Sequence, residues 1–162
     1  MSEKMMVLLE DELRDVITPR HLFGIWDIAI NKNHIQIGHI EINSVDLRRF
    51  LGACERVVIL ASTLGIGVDF FLQKLMHTDI SKAVLADKLA SKLIEEYTNE
   101  AQAKMGIDGK RYSPGYGDFD IKHQQDILGM LGCEKIGLYM TSGYMLTPSK
   151  SITAILCGGN HD

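Results

Sequence analysis

Apolar positions recur at helical spacing near the start of the chain: Met6, Leu9, Leu13, Val16 and Ile17, with Glu10, Asp11, Glu12 and Arg14 between them. That period predicts an amphipathic helix over 2–17. Ser2 is placed to cap it, and Pro19 disfavours helix at Thr18. The period then drops to two. Trp26, Ile28 and Ile30 share one side of a strand over 22–30, Asn31-Lys32-Asn33 is turn material, and a second strand runs from His34 to Ile42. In that second run Ile35 and Ile37 are out of phase with Ile40 and Ile42, which predicts a bulge at Gly38.

Ser44 opens a short helix with Asp46 in its first turn and Leu47, Phe50 and Leu51 facing inward. The run Arg56 to Ala61 is almost continuously apolar and reads as a central strand. A helix with Val68, Phe71, Leu72, Leu75 and Met76 on its apolar face follows Gly65-Ile66-Gly67. Strand, Gly-x-Gly and helix in that order suggest dinucleotide binding. The third glycine position holds Phe70, however, and no Gly-Lys-Ser/Thr follows, so neither phosphate-loop pattern is met. A helix N-terminus with small residues still offers a place for a polar group.

The longest helix spans Ile80 to Met105, with Ile80, Val84, Ala90, Leu93, Ile94 and Tyr97 marking its inner side and Leu85, Ala86 and Leu89 widening it. Asp87 and Ser91 interrupt that side one turn apart. Asp87 reads either as a solvated or lysine-paired charge or as an acid facing a pocket. Ile121, Ile127, Leu128 and Leu131 mark a further helix closed by Gly132. Strands over 136–146 and 151–156 finish the chain, joined by the turn Thr147-Pro148-Ser149-Lys150, and the tail Gly158 to Asp162 is expected to fray.

Composition narrows the class. The chain has 162 residues, 46% hydrophobic and 23% charged, and carries a net charge of −4. A length of this order suits one domain with one core. The acidic balance argues against nonspecific nucleic-acid binding, no apolar run is long enough for a membrane span, and the N-terminus lacks a secretory layout, so a cytoplasmic protein is expected. Cys54, Cys133 and Cys157 are far apart among apolar neighbours and read as small buried hydrophobes. No Cys-x-x-Cys or His-x-x-x-His spacing suggests a metal, and Cys157 with His161 is too little for one.

The densest chemistry lies in Arg111-Tyr112-Ser113-Pro114-Gly115-Tyr116-Gly117-Asp118. Pro114 presets the second position of a turn, and Gly115 can take the positive φ that a type II turn needs next. Gly115 and Gly117 allow close approach of a ligand. Arg111 suits a carboxylate, and Tyr112 and Tyr116 add faces for an aromatic or cationic partner. A plain surface turn is the alternative.

This loop, with Gln124 and Ile127-Leu128 after it, then Ile136-Gly137 and Tyr144 to Ser151, resembles the activation (reactivation) domain of cobalamin-dependent methionine synthase. Ala61 to Gly65 and Asp69 look like its small stand-alone form. The resemblance is strongest over 44–157, and the whole of 1–162 is expected to be one such domain. It implies an α+β fold, a twisted antiparallel sheet flanked by helices. It also implies binding of S-adenosylmethionine and reductive methylation, that is reactivation, of cobalamin held by a partner methionine synthase. That is an accessory role in methionine biosynthesis without independent enzyme activity, with an electron donor such as flavodoxin. By the same resemblance Arg111 holds the methionine carboxylate, Ser113, Pro114 and Gly115 contact the adenosyl part, and Tyr116 lies against the ligand or the corrin. Asp87, Ser91, Asp118, Ser142 and Tyr144 are secondary candidates; no catalytic or metal-binding residue is implied.

The chain departs from the family at Ser91, where a glutamate is usual, and at Thr141-Ser142-Gly143, where Thr-Glu-Ser is usual. These departures motivate an alternative: a relative that has lost the ligand and serves as a corrinoid-protein partner or assembly subunit. A third reading, an unrelated small-molecule enzyme, requires Asp87, Asp118 and Tyr116 to cluster in one pocket.

Overall fold

The computed structural model describes residues 2–32 and 34–159. Helix α1 (Glu3–Val16) starts where Ser2 Oγ accepts the Met5 amide, and it buries Leu9 and Leu13. Strand β1 (Arg20–Asn31) alternates as its sequence predicts, turning Leu22, Gly24, Trp26, Ile28 and Ile30 to one face. It pairs with β2 (His34–Ile37), and Asn31 opposes His34. The third residue of the predicted turn, Asn33, lies outside the described residues.

The predicted bulge at Gly38 is a chain reversal instead. Strand β2 ends at Ile37 and β3 (Ile40–Asn43) begins after two intervening residues, with Ile37 opposite Ile40. Gly38 takes φ +57° in the turn. A two-residue hairpin turn puts Ile35, Ile37, Ile40 and Ile42 on one buried face, so the phase change marks the reversal and not an inserted residue.

Helix α2 (Val45–Leu51) follows, capped by Ser44, whose Oγ accepts the Leu47 amide. Strand β4 (Arg56–Thr63) is buried on both faces, and β7 (Ser151–Gly159) pairs with it. The five-stranded antiparallel sheet has the order β3-β2-β1-β4-β7. It curls between helices, so the fold is α+β, a twisted antiparallel sheet flanked by helices. Val57, Ile59 and Ala61 point into the core beneath α2 and α5 (His123–Leu131). Val58 and Leu60 face the other way with Ala154 and Leu156. There Ser62 Oγ lies 2.7 Å from Thr98 Oγ1 on α4 (Ile80–Lys104). A separate apolar cluster joins α1, α3 (Ile66–Thr78) and α4.

The inner side of α4 is narrower than predicted. Ala83, Ala86, Ala90, Leu93 and Ile94 are buried, whereas Ile80 and Val84 stand exposed, as does Met76 on α3. The alanines, with Leu93 and Ile94, form the buried face of α4, and Leu85, Leu89 and Tyr97 pack partly buried against the same cluster. The Gly-x-Gly before α3 has a packing cause. A Cβ on Gly65 would stand 2.0 Å from Thr18 Oγ1, and one on Gly67 would stand 2.5 Å from the Val16 carbonyl oxygen. That helix N-terminus is covered by the α1–β1 connection, so it offers no open seat to a ligand.

The predicted strand over 136–146 is not continuous. Cys133–Ile136 forms a 3-10 turn, Gly137 follows with φ +72°, and only β5 (Tyr139–Met140) and β6 (Leu146–Thr147) pair. Glycines at 137 and 143 break the run. Strand β7 extends through Gly158 and Gly159, which the sequence places in a frayed tail; Asn160, His161 and Asp162 lie outside the described residues.

The cysteine reading also changes. Cys54 and Cys157 form a disulfide across 103 residues of sequence. Cys133 alone remains a buried thiol; burial, with a smaller effect from Glu134, pushes its pKa up to about 12.

Candidate functional site

The Arg111–Asp118 loop is strapped to the edge of the sheet. Tyr112 and Ile155 exchange backbone hydrogen bonds, Tyr112 N to Ile155 O at 2.9 Å and Ile155 N to Tyr112 O at 2.8 Å. Ser113-Pro114-Gly115-Tyr116 then turns, with Tyr116 N donating to Ser113 O at 3.1 Å and Gly115 at φ +96°. These are the features of a type II turn, as Pro114-Gly115 predicts. The Tyr112 ring packs among Phe50, Tyr116 and the buried Phe119. Burial and the carboxylates of Asp46 and Asp118 raise its phenol pKa.

Gly117 is required by the chain itself. A Cβ there would stand 2.2 Å from Asp46 Oδ2, at a φ of +51°. Asp118 likewise serves the fold: it accepts from Ser44 Oγ at 2.5 Å, from Val45 N at 2.9 Å and from Asp46 N at 3.0 Å. These bonds, the Ser44 hydroxyl foremost, hold its carboxyl below the ordinary value of 3.8.

The loop, the C-terminal half of α4 and the start of β7 enclose a groove of about 520 Å³. Arg111, Ser113, Pro114 and Tyr116 line it, and Gly115 sits at the apex of the turn that shapes it. Gln124, Ser151 and Thr153 make a polar floor, with a hydrogen bond from Thr153 to Gln124. Leu146 and Ile152 add apolar surface, and Tyr116 is half exposed at the rim. Such a volume falls within the range of about 300–1,000 Å³ common for small-molecule sites.

Helix α4 fixes the arginine. Arg111 Nη1 donates to Asn99 Oδ1 at 2.8 Å and to Gln102 Oε1 at 3.1 Å. Its Nη2 bonds Glu95 Oε2. The buried Gln102 amide also donates to Gly109 O at 2.8 Å, tying the connection from α4 to the same place. Glu95, Asn99 and Gln102 were not singled out by the sequence. They continue, turn by turn, the helix side on which Ser91 lies, and that spacing is the signal by which they could be found.

The secondary candidates lie elsewhere. Asp87 Oδ1 and Ser91 Oγ each stand 2.9 Å from Lys150 Nζ, which pins the turn before β7. Asp69 anchors the same turn through the Ser149 amide and hydroxyl, both at 2.9 Å. The turn contains a cis Thr147–Pro148 bond. Ser142 and Tyr144 belong to the hairpin between β5 and β6, where Tyr144 takes φ +64°. Asp87 and Asp118 therefore serve different elements, and neither lines the groove with Tyr116. Among the described residues no group of three or more His, Cys, Asp or Glu is arranged to hold a metal ion, and no helix is long and apolar enough to cross a membrane.

No protein-family model matches the sequence, and no curated protein matches it. A solved structure does: the MetH reactivation domain bound to AdoHcy has a TM-score of 0.65 and 17% sequence identity to this chain. The match covers 98% of this chain and 66% of that one, so this chain spans somewhat less than two thirds of its length. At that identity the likeness is one of fold.

Proposed function

We propose that this chain is an S-adenosylmethionine-binding accessory module. It supports the reductive methylation of cobalamin on a partner methionine synthase or related corrinoid protein, in the cytoplasm and with an external electron donor such as a flavodoxin. The observation that carries this reading is the groove beside Arg111, within a fold whose solved neighbour holds AdoHcy. AdoHcy is S-adenosylmethionine without its sulfonium methyl group, so both present the same carboxylate, amine and adenosine.

The lining suits such a ligand. The Nε–H of Arg111 takes no acceptor among the described bonds, and Nη2 takes one for its two hydrogens, so the guanidinium edge made by Nε and Nη2 keeps donor capacity for a ligand. That edge matches a carboxylate in bidentate fashion. The backbone of Ser113–Gly115 faces the adenosyl part, and the exposed Tyr116 ring offers a face to adenine, to the sulfonium or to the corrin. S-Adenosylmethionine supplies the methyl group when bound. The chain's own residues bind and orient it, and they perform no acid–base or nucleophilic step.

One observation favours a second reading, in which the ligand has been lost and the chain is only a partner or assembly subunit: Arg111 already has a carboxylate, that of Glu95. Calorimetric titration with S-adenosylmethionine separates the two. Saturable binding that weakens by about tenfold or more in Arg111→Ala is expected from the loss of charge-assisted hydrogen bonds. Absence of binding by the wild type, with retained association to a cobalamin protein, establishes the second reading.

A further inference from the structure

We infer that Glu95 is a specificity-determining residue of the groove: it recognises the α-ammonium group of the ligand and so selects for an intact amino-acid end. This rests on the ligand reading above and adds to it the class of ligand head group.

The groove is lined by two cations, Lys110 and Arg111, and by one anion, Glu95, whose Oε2 contacts Arg111 Nη2. The other two partners of the guanidinium, Asn99 and Gln102, are neutral amides. Glu95 spends one oxygen on the arginine. Its Oε1 has no partner among the described bonds, and its side chain is 59% exposed beside the cavity. A ligand bearing only a carboxylate meets both the guanidinium edge and this second negative charge, and the repulsion opposes binding. A zwitterionic α-amino acid answers both. Its carboxylate takes the open edge of Arg111, and its ammonium, on the adjacent carbon, donates to Glu95 Oε1. Because Asn99 and Gln102 hold Arg111 through its other terminal nitrogen, Nη1, Glu95 can turn toward an ammonium without releasing Arg111.

The test is a calorimetric comparison of S-adenosylmethionine with its deaminated analogue, which keeps the carboxylate, in the wild type, Glu95→Gln and Glu95→Asp. Thermal melts verify folding. The wild type is expected to prefer the aminated ligand by about tenfold or more, the weight of one charge-assisted bond. Glu95→Gln is expected to bring the two affinities within about twofold, chiefly by weakening the aminated ligand, while Glu95→Asp retains part of the preference. Equal wild-type affinities overturn the inference and leave the ligand reading standing. So does a Glu95→Gln variant that weakens both ligands alike, because a merely structural contact with Arg111 would do that. A wild type that binds neither ligand removes the ligand reading and this inference with it.

Discussion

Asp46 and Asp118 cap each other's backbone: Asp118 N donates to Asp46 Oδ2 at 2.9 Å, and Asp46 N donates to Asp118 Oδ1 at 3.0 Å. Two carboxylates thereby close the Arg111–Asp118 loop against the start of α2. The Ser44 hydroxyl and the backbone amides keep Asp118 ionised, with its pKa below the ordinary aspartate value. A depressed folded-state pKa contributes stability that is complete above the unfolded value of 3.8 and is lost as pH falls through the folded value. Thermal denaturation of Asp118→Asn should thus show a lower melting temperature than wild type at pH 7 and convergence with it in strong acid. A gap of constant size across that range contradicts the assignment.

Glycine substitutions separate the strained turn from ordinary helix. Gly117→Ala forces a Cβ onto Asp46 at a left-handed φ, and a cost of about 1–3 kcal/mol is expected. Gly129 lies inside α5 with nothing within 4 Å of a built Cβ. Gly129→Ala should stabilise by about 0.5–1 kcal/mol through helix propensity. Urea midpoints read both, and the opposite signs are the check.

Thiol counting tests the covalent tie between Cys54 and Cys157. The native protein should show no rapidly reacting thiol, since Cys133 is buried with its pKa near 12. Unfolding without reductant should reveal one thiol, and with reductant all three cysteines. Three thiols without reductant would refute the bond. Replacing both cysteines by serine should cost up to about 4.7 kcal/mol, the chain-entropy value for a loop of about 100 residues.

Lys150 ties the turn before β7 to α4 through Asp87 and Ser91, with its own side chain only 14% exposed. Lys150→Met is expected to cost about 1–3 kcal/mol. It should also weaken ligand binding, though less than Arg111→Ala does, because Ser151 of the groove floor follows directly. In a double-mutant cycle with Asp87→Asn the losses should fall short of additivity; strictly additive losses would show that the pair is not coupled.

Local chemistry made much of this molecule legible in its sequence. Ser2 and Ser44 cap the helices they precede, Gly132 ends α5 at φ +64°, and Pro114-Gly115 forms the expected turn. What stayed hidden depends on tertiary neighbours. The pairing of Cys54 with Cys157 arises only because β4 and β7 are adjacent in the sheet. The stretch over 136–146 carries enough apolar and aromatic residues (Ile136, Leu138, Tyr139, Met140, Tyr144, Met145 and Leu146) to read as a strand, but Gly137 and Gly143 let it fold into turns. Nothing local distinguishes Glu95 from the other charges of the long helix; its place follows from Arg111 arriving beside it from the next segment. Asp87, by contrast, was open to a lysine-paired reading, and Lys150 supplies the partner.

The backbone exchange between Tyr112 and Ile155 has a bearing on solubility. Strand β7 is the longer of the two outermost strands, and its unpaired side is a template on which another extended chain could add. By closing on Ile155, the loop occupies the middle of that template. Variants that loosen the loop should then do more than lose a ligand: they should expose a strand edge and drive the protein toward self-association. Resistance to aggregation is thus invested in the same few residues as the proposed ligand recognition.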